Sequence, residues 1–224
     1  MGGNEPSEYR AFAGSRYSSS GYAAVWAKEN TREVYATTGP RIGLRFFGGW
    51  GFSTDDADRP DLAARGYASG VPMGGDLVGR GDEKPPTFLI HAHKDPDGAN
   101  LERTQVIKGW RDRAGNLHEK IYDVAWSDDR KVDSDGKLEP VAATVDLSDA
   151  SYRNSIGDSE HAVTWIDPDF DPSEGAFYYV RVIQIPTPRW TGYDAALYGS
   201  RKMLGETPLV TQERAYSSPI WYTP

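Results

Sequence analysis

The chain has 224 residues, enough for one or two domains with a buried core, and its 33 Asp and Glu against 25 Lys and Arg leave a net charge of -8. The basic residues are scattered among acidic ones, which argues against a nucleic-acid partner, because such binding depends on clustered Lys and Arg. The absence of cysteine excludes disulfides and thiolate metal sites, and no apolar run approaches the roughly 18 residues that cross a bilayer, so we expect no membrane partner.

The composition predicts a mostly β protein. Gly (24) and Pro (15) are plentiful and aromatic residues reach 12 %. Leu is sparse beside Val, Ile, Tyr and Trp, which favours strands joined by turns over helical bundles. We therefore expect an antiparallel β-sandwich-like domain over residues 41–224.

The first seventy residues predict few regular elements. Met1 to Tyr22 is predicted to be loop, and Tyr22 to Asn30 a helix too short to be stable alone. Val34 to Thr38 and Ile42 to Phe47 are β-prone and bounded by glycine or proline, so both are predicted strands. Asp55 to Gly70 is polar and is predicted to be loop.

The stretch from Thr87 to Trp126 predicts the folding core. Thr87 to His93 alternates between two faces, as an extended strand does. The turn-forming segment Lys94 to Asn100 follows, and Thr104 to Trp110 and His118 to Trp126 are again β-prone. Three consecutive antiparallel strands that share one buried face are the expected result.

The second half of the chain contains one strong strand signal. No helix or strand is predicted from Ser127 to Trp165. Ala176 to Ile185 is apolar on both faces, which is typical of a central strand. Asp194 to Tyr198 is predicted to form a short helical turn, and Ser218 to Pro224 closes the chain with aromatic residues.

Three histidines are candidate metal ligands. His91 and His93 are two residues apart on a predicted strand, so their side chains point to one side and can share a zinc ion. His118, on a nearby predicted strand, is a possible third ligand. The alternative is that His91 and His93 face solvent at a sheet edge.

Spaced aspartates suggest a second candidate site. Asp167, Asp169 and Asp171 have the alternate spacing of a calcium loop, but Pro172 stands where an EF-hand needs its glycine. A looser calcium or magnesium site, shared with the acidic turn of Asp95 and Asp97, is one hypothesis. Rigid Asp-Pro turns are the simpler interpretation.

Two further binding hypotheses rest on residue type alone. Asp123, Asp128 and Asp129 could supply paired carboxylates for glycoside hydrolysis, although charged turns explain them as well. A sugar-stacking platform would need exposed tryptophans, whereas tryptophans spread over several strands are more often core residues. The tryptophans in question are Trp50, Trp110, Trp126, Trp165 and Trp190.

Six short motifs, in order along the chain, carry a family resemblance. They are Asn30–Glu33, Tyr35–Ile42, Met73–Leu77, Lys94–Leu101, Asp167–Pro172 and Pro186–Trp190. From about Gly21 onward the chain resembles the C-terminal third of the bacterial domain-of-unknown-function family 3604. Arg189 and Trp190, in the last motif, are further candidate binding residues.

The resemblance implies a role that depends on another polypeptide. Members of that family look like metal-dependent hydrolases of the PHP (polymerase and histidinol phosphatase) superfamily, often with an export signal, which implies an extracytoplasmic location. Their metal-binding histidines and aspartates lie upstream of the matched region. No residue of this chain matches one of those metal ligands. The family's divalent metal is therefore expected to be absent here, and we expect no catalysis by this chain alone.

The start of the chain departs from the family pattern. Members carry a helix between the motif at Asn30–Glu33 and the strand at Tyr35, whereas here Glu33 runs directly into Val34, and the opening residues contain no export signal. Residues 1–40 are therefore expected to be the remnant of an upstream barrel, and the chain a truncated copy. Its expected partner is the missing N-terminal portion or a second copy of itself. The alternatives are a carbohydrate or small-ligand binding module and a small metallohydrolase built on the histidines.

Overall fold

The computed structural model describes residues 32–79, 84–133, 137–199 and 205–224. Within these ranges the chain forms thirteen strands, two α-helices and one short 3₁₀ helix. The strands are β1 (Tyr35–Thr37), β2 (Gly43–Gly49), β3 (Gly70–Pro72), β4 (Asp76–Val78), β5 (Thr87–His93), β6 (Leu101–Arg111), β7 (Leu117–Trp126), β8 (Glu160–Ile166), β9 (Ala176–Gln184), β10 (Thr187–Pro188), β11 (Val210–Thr211), β12 (Arg214–Ser217) and β13 (Ile220–Thr223). The helices are α1 (Leu62–Ser69) and α2 (Trp190–Tyr198), and the 3₁₀ helix spans Thr54–Asp56.

A seven-stranded sheet is built around β9. β6 pairs with β9 along one side and with β7 beyond it. β12 and β13 both pair with the other side of β9. β1 pairs with β12, and β4 pairs with β13. The pairing is antiparallel except between β13 and β4, which are parallel.

A four-stranded antiparallel sheet, in the order β3-β2-β5-β8, faces the large sheet. Alternate residues of β5 and β9 point into the space between the sheets, where Phe88 and Tyr178 pack with their ring centroids 4.5 Å apart. The core residues between the sheets include Ile42, Leu44, Phe46, Phe88, Ile90, Ala92, Val106, Tyr178, Val180, Val182, Ile220 and Tyr222. The domain is thus a β-sandwich-like structure, as the composition predicts.

Helix α1 covers the outer face of the small sheet. Phe47 and Leu89 point outward from β2 and β5 and are buried there with Leu62 of the helix. The helix approaches closely because it carries glycine at the contact: a Cβ on Gly66 would lie 2.6 Å from Cγ of Phe47. Neither helix in the described part of the chain is long and apolar enough to cross a membrane.

Most predicted strands are confirmed. β5, β6, β7 and β9 form where alternation or apolar runs predict them, and β9 is the central strand of the large sheet. The predicted strand at Val34 to Thr38 is present as β1 and pairs with β12. The helix predicted over Tyr22 to Asn30 lies outside the described residues.

The predicted three-stranded core is wrong in its pairing. β5 pairs with β2 and β8, whereas β6 pairs with β7 and β9. Strands β5 and β6 therefore belong to different sheets. Lys94 to Asn100 is therefore a crossing between sheets and not a hairpin turn. Alternation along a strand shows which face is buried, but it does not show which strand lies alongside.

Two other predictions are corrected. The segment Asp55 to Gly70, predicted as loop, contains α1, because Leu62 and Gly66 give even this polar stretch one apolar side against the small sheet. The segment Ser127 to Trp165, in which no element is predicted, contains most of β8.

Candidate functional site

The acidic turn after β5 holds an arginine. Oδ2 of Asp95 accepts hydrogen bonds from the backbone N of Arg41 at 2.7 Å and from its Nε at 3.2 Å, and Asp97 accepts one from Nη2 at 2.8 Å. Burial alone would raise the pKa of Asp95, but the hydrogen bonds from Arg41 outweigh it and hold that pKa below its usual value. Arg41 lies in the motif Tyr35–Ile42, and both aspartates lie in the motif Lys94–Leu101. These contacts therefore connect two of the six motifs.

A lysine and an aspartate form a buried ion pair at the far end of the sandwich. Nζ of Lys108, on β6, lies 2.6 Å from Oδ2 of Asp167, and the two side chains are 4 % and 0 % exposed. The hydroxyl of Tyr178 donates to the same carboxylate at 2.8 Å, and the backbone N of Asp169 donates at 2.9 Å. Burial, followed by the charge of Asp167, raises the pKa of Tyr178 well above its usual range, so the phenol remains a donor.

Asp169 extends the hydrogen-bond network of Lys108 and Asp167 to the protein surface. Its Oδ2 lies 2.5 Å from Nζ of Lys120 and 2.7 Å from the hydroxyl of Tyr122. The hydrogen bond with Lys120, then that with Tyr122, lowers the pKa of Asp169. Asp167 and Asp169, two of the three aspartates of the candidate calcium loop, therefore already contact cations and hydrogen-bond donors of this chain.

The structure separates the two acidic turns. Asp95 lies two residues after His93, the last residue of β5, whereas Asp167 follows Ile166, which pairs with the first residue of β5. The turns therefore lie at opposite ends of the small sheet, and the structure does not bring their carboxylates together. Asp95 contacts Arg41, and Asp167 contacts Lys108.

The structure brings two of the three candidate histidines together. The rings of His91 and His93 have centroids 5.8 Å apart on the outer face of β5, and Nε2 of His91 lies 2.5 Å from Oε1 of Glu160. A Cβ on Gly43 of β2 would overlap Cε1 of His93, so that imidazole occupies the space that a side chain at position 43 would fill.

His118 lies in the other sheet, on β7. Its Nε2 is 2.8 Å from Oδ2 of Asp112, and its ring stacks on Trp110 with a centroid distance of 5.0 Å. The hydrogen bond with His118 is the first cause of a strongly lowered pKa at Asp112. Among the residues that the structure describes, no three His, Asp or Glu side chains are arranged to hold a metal ion.

The remaining candidate residues do not converge on one site. Arg189 lies over the ring of Trp190 at 5.6 Å, and its backbone N donates to Leu209 at the start of α2. Trp190 is 59 % exposed, whereas the other four candidate tryptophans are half-buried against different neighbours. Asp123 is held by Arg103 and Gln105.

A cavity between the edge strands β7 and β8 contains a residue that the sequence analysis does not single out. The cavity has a volume of about 390 Å³ and is lined by Val124, Ala125, Trp126, Glu160, His161, Ala162 and Val163. His161 is 5 % exposed, and its Nδ1 lies 2.9 Å from Oγ1 of Thr104 on β6. Its Nε2 has no hydrogen-bond partner among the described residues.

His161 is neutral at neutral pH. Burial, with a smaller contribution from the charge of Arg130, lowers its pKa to about 4. The signal that predicts its position is the alternation His161-Ala162-Val163-Thr164-Trp165, which places every second residue of β8 between the sheets.

Comparison with known proteins identifies the family. A sequence model described as "Protein of unknown function (DUF3604)" matches residues 2–224. The chain belongs to the DUF3604 family. Neither a curated protein nor a solved structure matches it. The six motifs lie within the matched residues, and charged residues of three of them take part in the Arg41 and Lys108 networks.

Proposed function

We propose that this DUF3604 chain is an accessory domain of a PHP-like, metal-dependent hydrolase, and that it supports the fold or shapes the substrate site of that enzyme without catalysing a reaction alone. The proposal rests on one observation above all: charged side chains of three of the motifs contact one another or Lys108 of strand β6. Arg41 joins Asp95 and Asp97, and Lys108 joins Asp167.

These contacts are typical of structural residues. A carboxylate that already accepts hydrogen bonds from a cation and a backbone N–H is a poor general base, because each of those bonds stabilises its charged form. A buried aspartate held by lysine fixes the position of a loop at the end of the sandwich. The partner in this proposal is the upstream catalytic portion, or a second copy of the chain.

The test is an activity assay on the purified, folded chain with added zinc or manganese. Phosphate, sulfate and carboxyl esters should give no turnover above the protein-free rate. Turnover that a chelator abolishes would show that the catalytic centre lies within this chain. A matching assay on a longer DUF3604 protein, with and without the region that corresponds to residues 41–224, should show that removal of the sandwich lowers its activity or its stability.

A further inference from the structure

We propose that the cavity between β7 and β8 binds a neutral sugar, with one of its hydroxyl groups paired to His161 and the apolar face of its ring against Trp126. This site is independent of the accessory role, since it uses no residue of the six motifs.

The polar partner in this site is the unpaired nitrogen of His161. If Nδ1 donates its proton to Thr104, Nε2 is left as an acceptor; if Nδ1 accepts from the threonine hydroxyl, Nε2–H is left as a donor. A hydroxyl group serves either tautomer, because it donates and accepts. Oδ2 of Asp158 lies 4.0 Å from Nε2, so one ligand oxygen can contact both groups.

The charges near the cavity favour a neutral ligand. Glu160 lines the cavity, and Asp158 stands beside His161, with a pKa that burial and then the nearby Asp128 raise. Arg130 is the cation that acts on His161, but the buried carboxylate of Glu102 holds its Nη1 at 2.9 Å. A phosphate or carboxylate would therefore meet the carboxylates of Asp158 and Glu160, of which Glu160 already contacts His91.

The other walls suit the apolar face of a sugar ring. Val124, Ala162 and Val163 supply aliphatic surface, and the indole of Trp126 is fixed because its Nε1 donates to the backbone O of Arg130 at 2.9 Å. Aromatic rings with a fixed plane bind flat, partly apolar ligands at low entropic cost. A volume of about 390 Å³ is in the lower range of small-molecule sites.

Access to Nε2 needs a small movement of an exposed neighbouring side chain. Nε2 is buried, and Asp158, whose Oδ2 lies 4.0 Å from it, has a side chain that is 53 % exposed. A small shift of that side chain toward solvent makes room for a ligand oxygen between the two groups and leaves the hydrogen bond between His161 and Thr104 in place.

The experiment is an NMR titration of the whole chain with glucose, galactose, mannose, xylose and N-acetylglucosamine, followed at the His161 imidazole and Trp126 indole nitrogens. At least one sugar should shift both signals in a saturable way at millimolar concentrations or below. In the variant His161→Leu the affinity should fall about tenfold, the loss expected for one hydrogen bond to a buried group. The control variant His118→Gln, at the other end of β7 from Trp126, should bind as the original chain does.

Three results would overturn the proposal. The first is that none of these sugars shifts the His161 nitrogens of the unmodified chain, a readout that does not depend on the folding of any variant. The second is that binding survives His161→Leu unchanged. The third is that inorganic phosphate or manganese shifts the same signals while the sugars do not.

Discussion

The motif residue Asp167 and its partner Lys108 show at the scale of single residues how a buried charge is held in this fold. Each is almost fully buried, and each has hydrogen-bond partners beyond the ion pair. The attraction between two buried charges is largely cancelled by the cost of removing them from water, but the loss of one partner leaves the other charge uncompensated. The pair therefore fixes the loop after β8 in one position.

Removal of the lysine should be strongly destabilising. We expect Lys108→Met to lower the free energy of unfolding by about 3 to 5 kcal/mol, since Asp167 would be left buried and unpaired. Urea denaturation measures this change. The double variant Lys108→Met/Asp167→Asn should recover more than half of the loss, because asparagine can still accept from Tyr178.

Lys120 provides a matched control for this experiment. It pairs with Asp169, but the two side chains are 49 % and 47 % exposed. Lys120→Met should therefore cost less than about 1 kcal/mol. An equal cost at positions 108 and 120 would contradict a special role for the buried pair.

His161 should make stability depend on pH. The unfolded chain protonates this histidine near its ordinary pKa, whereas the folded chain resists protonation down to a pKa of about 4. Between these values the unfolded state binds more protons, so stability falls as the pH falls from about 6.5 to 4, by roughly 3 kcal/mol at most.

Denaturation curves at several pH values, for the original chain and for His161→Leu, isolate this effect. Protonation of carboxylates such as Asp95 affects both proteins alike, so the difference between the two curves reports His161. The leucine variant should lose less stability between pH 6.5 and pH 4. Parallel curves would show that His161 is not protected in the fold.

At the scale of elements, the sequence predicts the strands better than their partners. β5 and β9 follow from local alternation and local apolar runs, which depend only on which face each strand buries. The pairing of β5 with β2 and β8 depends on residues between 38 and 79 positions away, so no local pattern contains it. The same limit applies to the site, because Arg41 and Asp95 meet only through the folded chain.

Helix α1 offers a test of element packing. Gly66→Ala raises helix propensity by about 1 kcal/mol, yet its methyl group would lie 2.6 Å from Cγ of Phe47. We expect a net loss of about 1 to 3 kcal/mol in the free energy of unfolding, because the helix must move off the sheet. The exposed control Ala64→Gly should lose no more than about 1 kcal/mol from propensity alone. A gain in stability at position 66 would show that the contact is loose.

At the scale of the whole molecule, the motifs predict the family and the composition predicts the fold class. The family match covers residues 2–224, and the two facing sheets form the expected sandwich. The sequence does not show that charged side chains of the motifs contact one another, or contact Lys108, in the folded domain. The proposal that the metal centre lies in a separate upstream portion rests on the resemblance, and the pairings are consistent with it.

Thermal unfolding with and without manganese tests this central claim most directly, because an ion that binds the folded state raises the unfolding temperature. We predict that neither excess manganese nor a chelator changes the unfolding temperature of the chain, whereas Asp167→Asn lowers it under all conditions. A manganese-dependent rise that disappears in Asp167→Asn would contradict the account, because it would place a metal site among the residues that we assign to the fold.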